Sequence, residues 1–245
     1  MAGVITRPRS GSGAITGNRL LDSLLRERPA LRAHVDIGAI ASGTELADEG
    51  RRATHVWFPI DGFASVVVRL ASGAVTEAIA VGREGMAGLG VWLGVEHSLE
   101  TVVQQRAGNV ARVSGAAFCR TVAASRHSRE LVNHYAAYTL RQQAQSAVCS
   151  ACHSVEERLC RWLLGSADRS GGNVLEISQA AVADVLGVRR QTVGDVAVRL
   201  QRDRVIAYRR GDIRIVNRPA LEQRACECYR TLRDLYRRTV EPRLK

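Results

Sequence analysis

Between residues 189 and 199 the chain carries side chains of the types that can read base edges. Arg189, Arg190, Gln191, Asp195 and Arg199 fall on the outward face of a helix, while Val193 and Val196 fall on the opposite face. A guanidinium clasps guanine O6 and N7 through two hydrogen bonds, and a glutamine amide does the same for adenine N6 and N7. Asp195 offers only acceptors, either to a cytosine amino group or to Arg199. Thr192, near the helix start, suits backbone phosphate. Arg209 and Arg210 lie at the tip of a predicted hairpin, where cations grip phosphates beside the groove.

A second constellation is made of thiols. Cys149, Cys152 and His153 occupy positions i, i+3 and i+4, one helical face, and Cys149-Ser150-Ala151-Cys152-His153 spells a c-type haem attachment site. Covalent attachment belongs to exported proteins and this segment reads as continuous helix, so haem is not expected. Packing as small hydrophobes is the expectation, with a metal or redox role for the three residues as the alternative. Cys226-Glu227-Cys228 is too tight for ordinary zinc spacing and has no partner pair legible in the sequence. No metal site and no cofactor is therefore assigned. The histidines His34, His55, His97, His127 and His134 form no triad, and the β-rich region lacks a histidine-x-histidine pair that would suggest a cupin-type metal enzyme. The chain is not expected to be an enzyme.

The elements that must position these residues are legible around them. Ser178 is a suitable N-cap for a first helix, Ala183 permits close helix contact, and Val182, Leu186 and Val188 supply a shared core. Gly187 fits the left-handed turn before the second helix. Val205–Tyr208, a turn over Arg209–Asp212, and Ile213–Val216 then form a basic hairpin, which makes this a winged helix-turn-helix. Upstream, residues 128–152 lack proline and glycine and predict a long helix. Leu131, Tyr135, Tyr138, Val148 and Cys152 recur near one face, interrupted by Gln142, Gln143 and Gln145. Val155–Leu164 is a short amphipathic helix, closed by a loop through Gly165 and Asp168–Gly172. From Val35 to Val113, short β-branched runs separated by Asp61-Gly62, Ser72-Gly73, Gly82 and Gly108-Asn109 predict a small antiparallel barrel or jelly roll. Asn18 caps a leucine-faced helix ahead of Pro29, and residues 1–17 read as a loose tail. The expected organisation is α+β: tail 1–17, β-rich domain 18–125, long helix 126–153, winged helix-turn-helix domain 154–245.

The net charge is +11, and nearly all the basic residues are arginine, since Lys245 is the only lysine. From Val155 onward there are 19 basic and 12 acidic residues, and between Arg189 and Arg218 the counts are 9 and 3. That density suits a polyanion, because neutralised phosphates release condensed counterions. No apolar run is long enough to span a bilayer, and residues 1–17 lack the apolar segment of a secretory leader. A membrane protein and a disulfide framework built on the six cysteines are thus not expected, and a cytoplasmic location is.

The segments "VWFPIDGFASVVV", "VGREGMAGLGVWLG", "VEERLCRWLLGSADR", "LGVRRQTVG" and "YRRGDIRIVNRPALE" follow one another in an order that resembles the Crp/Fnr family of bacterial regulators, over about Asn18 to Tyr236. The resemblance implies a cyclic-nucleotide-binding-like sensor domain, a homodimer through the long helix, and paired wings on a palindromic operator in double-stranded DNA. It also brings RNA polymerase into view as a partner. It places an effector pocket at Gly85, Met86, Gly88 and Leu89. Yet the family's ribose-binding glutamate is missing and no arginine occurs between Arg83 and Arg106, so a cyclic nucleotide phosphate has no cation there and cyclic AMP is not expected. No cysteine precedes Cys119, so an N-terminal iron–sulfur cluster does not carry over. Arg190 matches a base-reading arginine of the family, Gln191 replaces a glutamate, and Asp195 stands where arginine is common, which implies an altered operator. Two other readings stay open: a ligand-independent architectural DNA binder, and a metal- or thiol-based redox regulator using Cys149, Cys152 and His153.

Overall fold

Asn18 ties the first helix to the first sheet. Its side-chain oxygen accepts the Leu21 N–H (2.9 Å) at the start of α1 (Arg19–Glu27), while its amide donates to the Pro59 and Gly85 carbonyls, both at 2.8 Å. The structure, a computed structural model, describes residues 16–209 and 211–244. The expected tail, except its last two residues, and Arg210 of the hairpin tip lie outside the described residues. Leu20, Leu21, Leu24 and Leu25 of α1 are buried, and Pro29 opens a 3-10 turn (Pro29–His34) that leads into the sheets.

Seven strands follow: β1 (Val35–Ile40), β2 (Glu45–Ala47), β3 (His55–Pro59), β4 (Phe63–Arg69), β5 (Val75–Val81), β6 (Thr101–Arg106) and β7 (Gly108–Ser114). They pair antiparallel as two separate sheets, β1-β7-β3 and β2-β6-β4-β5. Leu46, Val66, Ile79 and Val102 of the second sheet meet Ile40 and Trp57 of the first, so the sheets enclose a shared core as a jelly-roll-like sandwich and do not close into a barrel. The two faces of β3 enter different cores: Val56 and Phe58 are fully buried with the leucines of α1, and Trp57 between them is half-buried on the other face, against the second sheet.

After α2 (Gly115–Ala123) comes α3 (Arg126–Cys152), 27 residues long and capped by Ser125, whose hydroxyl accepts the Ser128 N–H at 3.3 Å. Here the structure revises the expected stripe. Leu131, Tyr135 and Tyr138 continue through Gln142 and Gln145 to Cys149 on the buried face, whereas Val148 and Cys152 are exposed. The glutamines are tolerated because they are bonded: Gln142 donates to the Ala80 carbonyl (3.2 Å) and Gln145 to the Cys228 sulfur (2.9 Å). A second stripe, Ala137, Leu140, Ala144, Ala147, Val148 and Ala151, stays exposed along the same helix at intervals of three and four residues.

Ser154 and Glu157 form a capping box that starts α4 (Val155–Ser170). The expected stop at Leu164 is not observed: Gly165 sits inside the helix, since Ser166 and Ala167 beyond it are buried in the core, and Gly171 in the left-handed conformation (φ 70°) ends it. Then follow β8 (Val174–Glu176), α5 (Gln179–Leu186), α6 (Arg190–Arg202), β9 (Ile206–Arg209), β10 (Asp212–Ile215), α7 (Arg218–Arg224) and α8 (Cys228–Thr239), with strand order β8-β10-β9. Strand β8 is not legible in the sequence; its three residues between Gly172-Asn173 and Ser178 are too few to show a period.

Helix α8 leaves the winged region, to which its sequence position assigns it, and packs along α3. Tyr236 meets Tyr138 edge-on (centroids 5.2 Å apart) and, with Val240, joins the core built around Phe118, Leu131 and Tyr135. The winged region also rests on the second sheet. Trp162 packs edge-on against Phe63 at 6.1 Å, and Arg169 pairs with Glu84 at 2.9 Å with both side chains largely buried. Among the described residues no helix is long and apolar enough to cross a membrane.

Candidate nucleic-acid interface and effector cavity

Helices α5 and α6 meet where the sequence expects. The Ser178 hydroxyl accepts the Ala181 N–H (3.2 Å), and Gly187 takes the left-handed conformation (φ 63°), with its N–H on Asp184 O and the Val188 N–H on Ala183 O. An L side chain there is strained, and its Cβ would stand 3.0 Å from Thr76 Oγ1 on β5. Val182, Ala183, Leu186, Val193, Val196 and Leu200 are all 3% exposed or less, so the two helices share one core and their angle is set by packing.

That core turns the opposite face of α6 outward. Arg189, Arg190, Gln191 and Asp195 are exposed, and Thr192 is half-buried. Arg199 is exposed as well, but its Nε lies 3.2 Å from Glu156 on α4, a carboxylate also approached by Arg224 at 3.5 Å. Glu156, and not Asp195, therefore orders Arg199, which leaves Asp195 without that partner. In the hairpin, Asp212 pairs with Arg209, so both strands lie one residue nearer the tip than the sequence suggests and the turn shortens to two residues. Arg209 is exposed. Arg214 also points outward between buried Ile213 and Ile215. The base-reading pattern passes over it, although the alternation of that strand marks it.

The four expected effector residues divide. Gly88 and Leu89 line a cavity of about 460 Å³ between the two sheets' loops and α3, together with Trp57, Arg52, Glu100 and Gln143. Gly85 and Met86 do not line it. A Cβ on Gly85 would overlap the Tyr135 ring, and Met86 is core, its carbonyl accepting the Tyr135 hydroxyl at 2.9 Å. Both residues hold the loop against α3. Arg51 and Arg52 reach the cavity from the β2–β3 connection, a source of positive charge that a search confined to Arg83–Arg106 misses. Burial raises the Glu100 carboxyl above its ordinary range, and burial, with the Arg112 charge, lowers the His55 imidazole.

Glu77 of β5 marks the contact between sheet and winged region. Its carboxylate accepts from the Trp162 indole (3.2 Å) and from the Ser65 hydroxyl. Desolvation raises its pKa, opposed by the Ser65 bond, by the Arg169 and Arg161 charges and by the Trp162 bond. A raised acid binds more protons folded than unfolded, so its stabilising effect is full below about 4.5 and declines as pH rises through the folded value. Glu77→Gln retains an acceptor for Trp162 and is expected to raise the melting temperature at neutral pH while leaving it unchanged at acid pH. Melting curves across that range check this, and an equal change at every pH would contradict it.

Residues 157–224 match the family described as the Crp-like helix-turn-helix domain. No curated protein sequence matches the chain. Among solved structures the chain is similar to FixK2 from Bradyrhizobium japonicum, with TM-score 0.68 and 15% identity over 78% of this chain and 98% of that one. It is similar to TTHB099, a CRP-family transcriptional regulator from Thermus thermophilus, with TM-score 0.64 and 19% identity over 77% and 96% of the two chains. The c-di-GMP responsive global regulator CLP of Xanthomonas campestris gives TM-score 0.59 and 16% identity over 80% and 97%.

Proposed function

We infer that this chain, built on the Crp/Fnr fold with a Crp-like helix-turn-helix domain, is a sequence-specific DNA-binding transcription regulator of the Crp/Fnr type. The observation that carries the reading is the exposed start of α6. Arg189, Arg190 and Gln191 are exposed there and pair with none of the described residues, on a helix whose other face is locked into the core. Arg190 and Gln191 read bases. Thr192 and Arg209 contact phosphates, with Arg189, Arg210 and the Glu156-held Arg199 flanking them.

The experiment is a competition gel shift on selected operators. Arg190→Ala is expected to lose about 1–3 kcal/mol of preference between matched and mismatched sites, as for removal of a bidentate base contact. Arg209→Ala is expected to weaken all sequences alike and to reduce the salt dependence. An Arg190→Ala protein that still ranks the sites as the parent does would sink the base-reading assignment.

The protein acts as a homodimer on a palindromic operator, through the second stripe of α3. Leu140 (68% exposed) and Val148 (51%) alternate there with Ala137, Ala144, Ala147 and Ala151 at coiled-coil spacing, and the small residues allow close helix approach. Two-fold symmetry places the recognition helices roughly 34 Å apart. The cavity at Gly88 and Leu89 borders this seam through Leu140, which suits an effector site coupled to dimer geometry. We assign its action to the cytoplasm, where the DNA is.

A further inference from the structure

Three cysteines and a histidine that the DNA-binding reading does not use converge at the junction of α3 and α4. Cys149 comes from the last turn of α3 and His153 is its C-cap, while Cys226 lies in the α7–α8 connection and Cys228 opens α8. Their ligand atoms all lie within 4.8 Å of one another. Cys149 Sγ is 3.5 Å from Cys226 Sγ, and Cys228 Sγ is 3.7 Å from His153 Nδ1. Zinc–sulfur bonds of about 2.3 Å in a tetrahedron put neighbouring ligand atoms roughly 3.8 Å apart, so the four groups already stand near the required spacing. Their surroundings fit as well. His153 Nδ1 faces the sulfurs while its Nε2 lies 3.0 Å from Glu227 Oε2, the carboxylate partner that fixes the tautomer of a ligating imidazole. Gln145 donates to Cys228 Sγ at 2.9 Å, a bond that favours thiolate charge. The three sulfurs are buried, at 3% exposure or less, which excludes competing water.

We propose that Cys149, His153, Cys226 and Cys228 bind one zinc ion, which fastens the start of α8 to the junction between the long helix and the winged region. The site differs from the alternative weighed on sequence. Cys152, at helical spacing from Cys149, is exposed and outside the group, and its place is taken by the Cys-Glu-Cys pair from 77 positions downstream of Cys149. Here that pair is completed by the cap of a distant helix. Zinc suits a tetrahedral set of three sulfurs and one nitrogen better than magnesium or calcium, which take oxygen ligands. Binding exchanges thiol protons for the metal and involves no change of oxidation state.

The test uses the full chain, purified with reductant, and does not depend on DNA binding. Metal analysis is expected to find about one zinc per chain. Cobalt(II) added to the metal-free protein is expected to give thiolate charge-transfer bands and the visible bands of a tetrahedral site. Competition with a chelator is expected to place the zinc Kd below about 10⁻⁷ M. Cys226→Ser and Cys228→Ser should each weaken the charge-transfer band and the affinity by at least tenfold, Glu227→Gln should weaken binding by about tenfold, and Cys152→Ser should change nothing. The parent protein's cobalt spectrum decides the matter even where a cysteine variant fails to fold. Octahedral cobalt, iron with sulfide in place of zinc, or loss of binding in Cys152→Ser would each overturn the proposal.

Discussion

Leu140→Arg is expected to give a folded monomer whose affinity for a two-fold operator falls on the order of 10²–10⁴-fold. Leu140 is 68% exposed in the single chain, so the fold has little to lose there. In the dimer, two arginines would face each other across a seam of alanines, like charge against like charge. The loss arises because each winged region then binds its half-site alone, without the high effective concentration that its partner provides. Sedimentation would read the oligomeric state, and full against half operators would read the affinity. A Leu140→Arg protein that remains dimeric would remove the α3 seam from the assembly, and one that is monomeric yet binds the full operator unchanged would remove the need for a dimer.

Trp162→Ala is expected to cost about 3–5 kcal/mol of stability, at the upper end for a single core truncation. Trp162 is 4% exposed and lies at the centre of the cluster that joins Phe63 and Ala80 of the sheet to Leu159, Leu163 and the helix-turn-helix core. Truncation opens a cavity there and removes an indole donor from desolvated Glu77. Urea unfolding is the measurement. Because Trp162 bridges two bodies, a second transition should separate from the first as the sheet and the winged region lose their common core. A loss below about 1 kcal/mol with a single transition would mean that the contact is not what joins them. With Phe63→Leu as the second change, a double-mutant cycle should return about 0.5–1.5 kcal/mol of coupling for the edge-on pair.

The helix-turn-helix was legible because its determinants are local. Ser178, Ala183, Gly187, Val193 and Val196 each answer to a neighbour within a few positions, and every one stands where its spacing puts it. What could not be read depends on distant partners. Gln142 and Gln145 look like interruptions until Ala80 and Cys228 come within bonding distance. Gly165 reads as a stop, yet burial of Ser166 and Ala167 outweighs its weak helix propensity, a cost of about 1 kcal/mol. Gly85 and Met86 stand where the resemblance implied a pocket but serve the packing of Tyr135, while Arg51 and Arg52 enter from a strand connection far away in sequence. Arg199 reads as a free groove contact until α4 brings Glu156 beside it. Cys226-Glu227-Cys228 has no meaning without the end of α3.

The return of α8 to α3 changes what motion is open to the winged region. Joined only at His153–Ser154, it would swing as a pendulum in any direction. It is attached at both ends instead: α4 leaves from the end of α3, and α8 runs back along the same helix to Tyr138, where Tyr236 also donates its hydroxyl to Glu84 O at 2.7 Å. Arg243 then reaches Glu130 at 3.1 Å, nearer still to the start of α3. Once its contact with the sheet at Trp162 and Arg169 is released, a body pinned at two separated points on one rod retains rotation about the line between them and little else. The recognition helices of a pair would then travel along a single arc, which sets their separation and their pitch together.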